Sequence, residues 1–184
     1  MMLLASALVF AQPVTFTDLG VIGDSGTYVF NTDNSVFTAG GTGNVDTELG
    51  LWDDSGVLLA SDDDGSALAS WSEITITLAP GVYFLGNSEF NSVFADVFLN
   101  TGTAFEAGEV ANLTLNIDGS LAGTISGVSE AFDQETGFFR IELSAPACPD
   151  VSNLMAGNFA DGSVDISWDA AMGCLLYTSP SPRD

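Results

Sequence analysis

The sequence predicts an all-β protein, an antiparallel β-sandwich over residues 12–145. Three observations predict it. Short segments alternate apolar and polar residues with a period of two. Turn signals built from Gly, Asn, Asp and Pro recur about every 8–12 residues, the spacing of sandwiches and barrels. No stretch carries an apolar stripe at helical spacing.

Each element follows in order. Residues 1–11 read as a secretory leader: Leu3, Leu4, Ala5, Ala7, Leu8, Val9 and Phe10 form an apolar run, with small residues before Gln12-Pro13. That run is too short to span a bilayer, and no other segment approaches the length required. Strands are expected at 27–30, 48–52, 57–61 and 93–99. In residues 72–78, Ile74, Ile76 and Leu78 point inward and Thr75 and Thr77 outward, and Ala79-Pro80-Gly81 turns the chain into residues 82–85. Leu113, Leu115 and Ile117 alternate with Thr114 and Asn116, as Phe139, Ile141 and Leu143 do with Arg140 and Glu142. Residues 129–136 have room for one helical turn.

Ala145-Pro146-Ala147-Cys148-Pro149 marks a boundary, because two prolines cannot sit in a central strand. Beyond it, residues 146–173 resemble the start of a fibronectin type III module, with Pro149, Leu154 and Trp168 at that family's proline, leucine and second-strand tryptophan positions. The remaining strands of such a module do not follow, so this piece is expected to be a truncated fragment. Residues 174–184, ending Ser179-Pro180-Ser181-Pro182-Arg183-Asp184, break both composition and periodicity and look like a translated adapter rather than native sequence. Because Cys174 falls there, a Cys148–Cys174 disulfide is not expected, although two cysteines in an exported chain would ordinarily suggest one.

Charge narrows the function. The 184 residues hold 25 Asp and Glu against two Arg, with no Lys and no His, for a formal net charge of −23. His- and Lys-based catalysis, Schiff-base chemistry and a P-loop lysine are excluded. Nucleic acid and anionic membrane surfaces are excluded as partners, because almost no cation is available to neutralise phosphate.

The acidic residues are not scattered. Asp46 precedes the strand at 48–52, Asp62, Asp63 and Asp64 follow the strand at 57–61, and the turn Asp53-Asp54-Ser55-Gly56 joins the two. An antiparallel hairpin therefore brings Asp46 and the Asp62–Asp64 trio to one end. Each like-charge pair at 4 Å costs about 1 kcal/mol in water and more near a protein surface. Without lysine, a hard divalent cation with oxygen ligands is the natural counter-charge, and calcium is the expected ion in an exported protein. The candidate ligands are Asp46, Asp62, Asp63 and Asp64, with Glu48 a weaker fifth. A solvated, salt-adapted surface would use the same residues without an ion. Asp53 and Asp54 read as turn chemistry.

This passage resembles the bacterial pre-peptidase C-terminal-like domain and its relatives in exported surface proteins. The resemblance rests on Asp46-Thr47-Glu48-Leu49-Gly50-Leu51, Asp53-Asp54-Ser55-Gly56, Asp62-Asp63-Asp64-Gly65, Ser72 and Ala79-Pro80-Gly81-Val82-Tyr83-Phe84, and covers residues 20–118. It departs at residues 91–108, where the family has a shorter finish. The resemblance implies a jelly-roll-like sandwich, non-catalytic, accessory to a secreted enzyme or surface protein, with calcium sites in some members. The expected role is a secreted or cell-surface module for adhesion or spacing, meeting extracellular polysaccharide or a surface protein. The alternative is a carbohydrate-binding module stacking sugars on exposed Trp52 or Trp71. Paired carboxylates also occur in glycosidases, but no deep-cleft signature accompanies them here.

Overall fold

The computed structural model describes residues 15–68, 70–100, 105–131, 135–146, 155–160 and 163–167, the last two segments by backbone alone. The chain divides into two units, Met1–Ala145 and Pro146–Asp184.

The first unit is a β-sandwich. In chain order its strands are β1 (Phe16–Asp24), β2 (Gly26–Asn31), β3 (Val36–Ala39), β4 (Thr47–Asp53), β5 (Leu58–Asp62), β6 (Glu73–Leu78), β7 (Gly81–Glu89), β8 (Phe94–Ala95), β9 (Leu99–Asn100), β10 (Val110–Ile117), β11 (Ser120–Val128) and β12 (Gly137–Ser144). One sheet has the order β1-β12-β7-β4-β5 and the other β11-β10-β2-β6, with β3 also on β10. The pairings within the two sheets are antiparallel except one: β1 lies parallel to β12, from Phe16 opposite Phe138 to Asp24 opposite Ser144. The antiparallel expectation is corrected at that edge. The parallel pair joins elements more than a hundred residues apart, so no local hairpin constrains its direction.

Alternation decides which residues fill the interior. Phe30, Ile74, Leu78 and Leu115 from one sheet pack against Leu49, Leu51, Leu85, Phe139 and Ile141 from the other. Each fully buried side chain of this kind contributes about 1.5–3 kcal/mol. On β6, Ile74 and Leu78 are buried and Ile76 half-buried, while Thr75 and Thr77 are exposed, as its pattern predicts. On β10 the polar row is also covered: Thr114 and Asn116 are buried, donating to the Asp33 carbonyl at 2.6 and 3.0 Å.

The expected strand at 93–99 is instead a small hairpin, β8 and β9. Val97 and Phe98 adopt positive φ, 62° and 59°, and reverse the chain between them. Those angles are unfavourable for bulky side chains. Packing holds them: Phe94 and Phe98 fold onto Trp52 at centroid distances of 5.2 and 6.0 Å, Phe138 sits at 5.7 Å, and Trp52 Nε1 donates to the Ala95 carbonyl at 2.8 Å. Two glycines make the space for the indole. A Cβ at Gly50 would lie 2.4 Å from the Trp52 ring and one at Gly86 3.0 Å from it.

In the second unit, β13 (Met155–Ala160) and β14 (Ser163–Ser167) form an antiparallel pair. The leader at 1–11, Cys148, Pro149, Leu154, Trp168 and the tail at 174–184 lie outside the described residues, as does part of the expected helical turn at 129–136.

Candidate metal site

Strand β4 carries the site at its start. Thr47, Leu49 and Leu51 are buried and face the interior, so Asp46 and Glu48 fall on the opposite row. A buried hydroxyl knot fixes that end. Thr32 Oγ1 and Thr47 Oγ1 lie 2.5 Å apart, the Ser72 amide donates to both at 2.9 and 3.1 Å, and the Ser72 hydroxyl donates to the Thr47 carbonyl. Thr47 N donates to the Ser70 carbonyl at 3.0 Å. The residue before Thr47 is therefore held with little freedom.

The hairpin of β4 and β5 then returns the chain to the same end, with Leu49 opposite Asp62. Carboxylate oxygens of Asp46, Asp63 and Asp64 lie within 4.8 Å of one another. Asp63 and Asp64 are exposed and Asp46 half-buried. One oxygen of Asp46, Oδ1, is shut off from solvent and receives no hydrogen bond. A buried acceptor without a donor is costly, and a bound cation is one group that would partner it.

The remaining two candidates are placed differently. Asp62 works as a clasp: its Oδ2 accepts from the amides of Gly65 and Glu73, both at 2.8 Å, tying the end of β5 to the start of β6. Gly65 leaves room for the clasp, since a Cβ there would lie 2.4 Å from that oxygen and would force the Asp62 side chain to shift. Glu48 is outside the close trio but feels its charge. Its carboxyl is pushed up to about 7, first by burial and then by Asp63, Asp46, Asp64 and Asp62. Burial and then the neighbouring aspartates also raise Asp46 and Asp63. Asp53, at the other end of the hairpin, spends Oδ1 on the amides of Ser55 and Val57, both at 2.9 Å, which is turn chemistry.

No protein cation among the described residues offsets this field. Arg140, the only basic side chain among the described residues, is 2.9 Å from Asp18 and 3.2 Å from Glu142. The trio can therefore offer hard anionic oxygens to a divalent ion, with water or backbone oxygens completing the shell.

The alternative reading, a sugar platform on Trp52 or Trp71, lacks an exposed ring. Trp52 is fully buried under Phe94 and Phe98, and Trp71 is 7% exposed, its indole nitrogen donating to the Ser35 carbonyl at 3.3 Å. Neither ring offers a face to a ligand.

One acidic side chain escaped sequence reasoning. Glu89, the last residue of β7, is 8% exposed, and its Oε2 is buried with no hydrogen-bond partner. Burial, then Glu109, Asp46, Glu106 and Glu135, push its carboxyl up to about 8. The signal was present in the alternation, since Tyr83 and Leu85 face inward and the same row continues through Asn87 to Glu89. No protein-family model, curated protein or solved structure matches this chain.

Proposed function

We propose that this chain is a non-catalytic, calcium-stabilised β-sandwich module of a secreted or cell-surface protein, serving adhesion or spacing. The observations that carry the calcium reading are carboxylate oxygens of Asp46, Asp63 and Asp64 within 4.8 Å of one another and a buried, unpartnered oxygen on Asp46. The ligand chemistry is hard and anionic, and three protein carboxylates suit a site of moderate affinity. Extracellular calcium modules have dissociation constants of about 10⁻⁴–10⁻³ M.

The accessory role draws on the charge and on the sequence resemblance. A net charge of −23 keeps an exported module soluble and apart from its copies. Asp62, fixed between two backbone amides, and Asp53, fixed in its turn, serve architecture, which leaves the trio as the reactive feature of the β4–β5 hairpin.

Thermal unfolding tests the reading. Millimolar calcium raises the melting temperature well above the rise given by sodium chloride at equal ionic strength, and D63N/D64N removes the difference. Equal shifts from the two salts would reduce the effect to charge screening.

A further inference from the structure

Sheet edges carry backbone groups that another chain can pair with, and folded proteins blunt them with bulges, charges or covering segments. The edges of the first unit differ in this respect among the described residues. β1 shifts register twice against β12 between Asp18 and Gly23, and β11 shifts twice against β10. β5 shifts once, between Ala60 and Leu58, and the Leu58 amide donates to Asp96 Oδ1 at 2.8 Å. β3 is bridged from Val36 to Asn44. β6 shows none of these devices along its length. Its six residues pair with β2 in unbroken register, from Glu73 opposite Asn31 to Leu78 opposite Gly26. It ends its sheet, with no described strand beyond it.

The hydrogen bonds at the start of β6 fix which groups face outward. The Ser72 carbonyl accepts from the Thr32 amide at 3.1 Å, on the β2 side. The next amide, that of Glu73, turns the other way and donates to Asp62 Oδ2 at 2.8 Å. Backbone direction alternates along a strand of an antiparallel pair, so Thr75 and Thr77 also turn their N–H and C=O groups outward. No hydrogen bond from a described residue outside the strand pair reaches those groups.

Residue types at this edge suit the addition of a strand. Ile74, Thr75, Ile76, Thr77 and Leu78 are β-branched or aliphatic, and none is charged. Ile74 and Leu78 are buried, Ile76 is half-buried and both threonines are exposed. A strand of alternating apolar and polar residues laid beside them would continue each row. Charge marks one end of the edge. Asp62 sits on the Glu73 amide, and the Asp46, Asp63 and Asp64 carboxylates gather at that same end of the β4–β5 hairpin. A second copy would bring a further formal charge of −23, whereas a basic segment brings the complement.

We infer that β6 is a docking edge for an extended segment of a partner protein, alternating apolar and polar residues, with Lys or Arg at the end that lies beside Glu73 and Asp62. Docking there stands apart from calcium binding, since it needs the outward backbone of Thr75 and Thr77.

The probe is a synthetic peptide of alternating valine and threonine flanked by lysines, titrated into the full chain in chelator and followed by calorimetry. Binding of one peptide per chain is expected. Methylating alternate backbone nitrogens of the peptide weakens binding about tenfold in one phase and leaves it intact in the other, because alternate amides face β6. Thr75→Pro, which removes an outward N–H at an edge where proline is tolerated, weakens it by a similar factor. Glutamates in place of the lysines also weaken it. No binding overturns the docking edge, and binding that neither methylated phase alters reduces it to charge attraction and overturns it too. Equal binding of the glutamate peptide overturns the basic partner. A chain that sediments as a dimer without peptide, and as a monomer once Thr75→Pro is made, assigns the edge to a second copy and overturns the partner segment. Should Thr75→Pro not fold, the methylated peptides decide alone. Each of these failures leaves the calcium-induced rise in melting temperature untouched.

Discussion

The two ends of strand β4 solve opposite problems. At its far end, Trp52 sits in a closed set of partners: glycines beneath, phenylalanines around, and a carbonyl for its one donor. At its start, Asp46 and its neighbours are left with like charges and a buried oxygen without a hydrogen-bond partner among the described residues. Five residues separate a closed set of contacts from a buried acceptor without a donor among the described residues. The contrast teaches that a site can be recognised by what its surroundings fail to supply, even where the fold around it is fully packed.

The contrast can be broken from either end. The largest effect belongs to the closed end: Trp52→Ala costs about 3–5 kcal/mol by urea unfolding and leaves the calcium-induced stabilisation unchanged. A variant that loses both would make the two ends one unit. Overpacking comes next. Gly50→Ala drives a Cβ against the indole and Phe94, with a cost of about 1–3 kcal/mol and a shift in tryptophan emission that reports a displaced ring.

At the open end, ~10 mM calcium stabilises the protein by about 1.4–2.7 kcal/mol if the trio has the affinity usual for extracellular sites. Loss of that increment in D63N/D64N, measured by thermal unfolding, sharpens the comparison. Stability of the calcium-free protein also falls with rising pH. Glu48 and Glu89 have ordinary values of 4.5 and are raised to about 7 and about 8 in the folded chain. Between those limits the folded state holds more protons than the unfolded state, so stability declines from about pH 4.5 to pH 8 and then levels. Melting temperatures in chelator across that range check the slope, and saturating calcium flattens it. The smallest effect is Asp54→Asn, at the exposed turn, which stays within about 0.5 kcal/mol and leaves calcium binding intact.

The sandwich was legible where alternation was strict. Ile74 and Leu78, or Phe139, Ile141 and Leu143, declare both the strand and its inward face, because one side of a sheet must be dry. The hairpin logic that places Asp46 against Asp63 and Asp64 was legible for the same reason, since turn and register leave little choice. The clasp made by Asp62 was not legible, because sequence does not reveal which carboxylate in a run meets backbone amides. The β8–β9 hairpin was illegible: Val97 and Phe98 carry no turn signal, and only the aromatic cluster they join makes their backbone tolerable. Exposure of Trp52 was likewise undecidable until Phe94 and Phe98 were known to cover it.

The parallel pairing of β1 with β12 has a mechanical consequence. Both strands run in one direction, so the chain enters the sandwich at Phe16 near one pole and leaves it at Ser144 near the other. Tension applied between those residues strains the whole ladder in shear, so its hydrogen bonds must give way together; a terminal hairpin would instead be peeled apart bond by bond. A module strung between two attachments would resist stretching first through that edge.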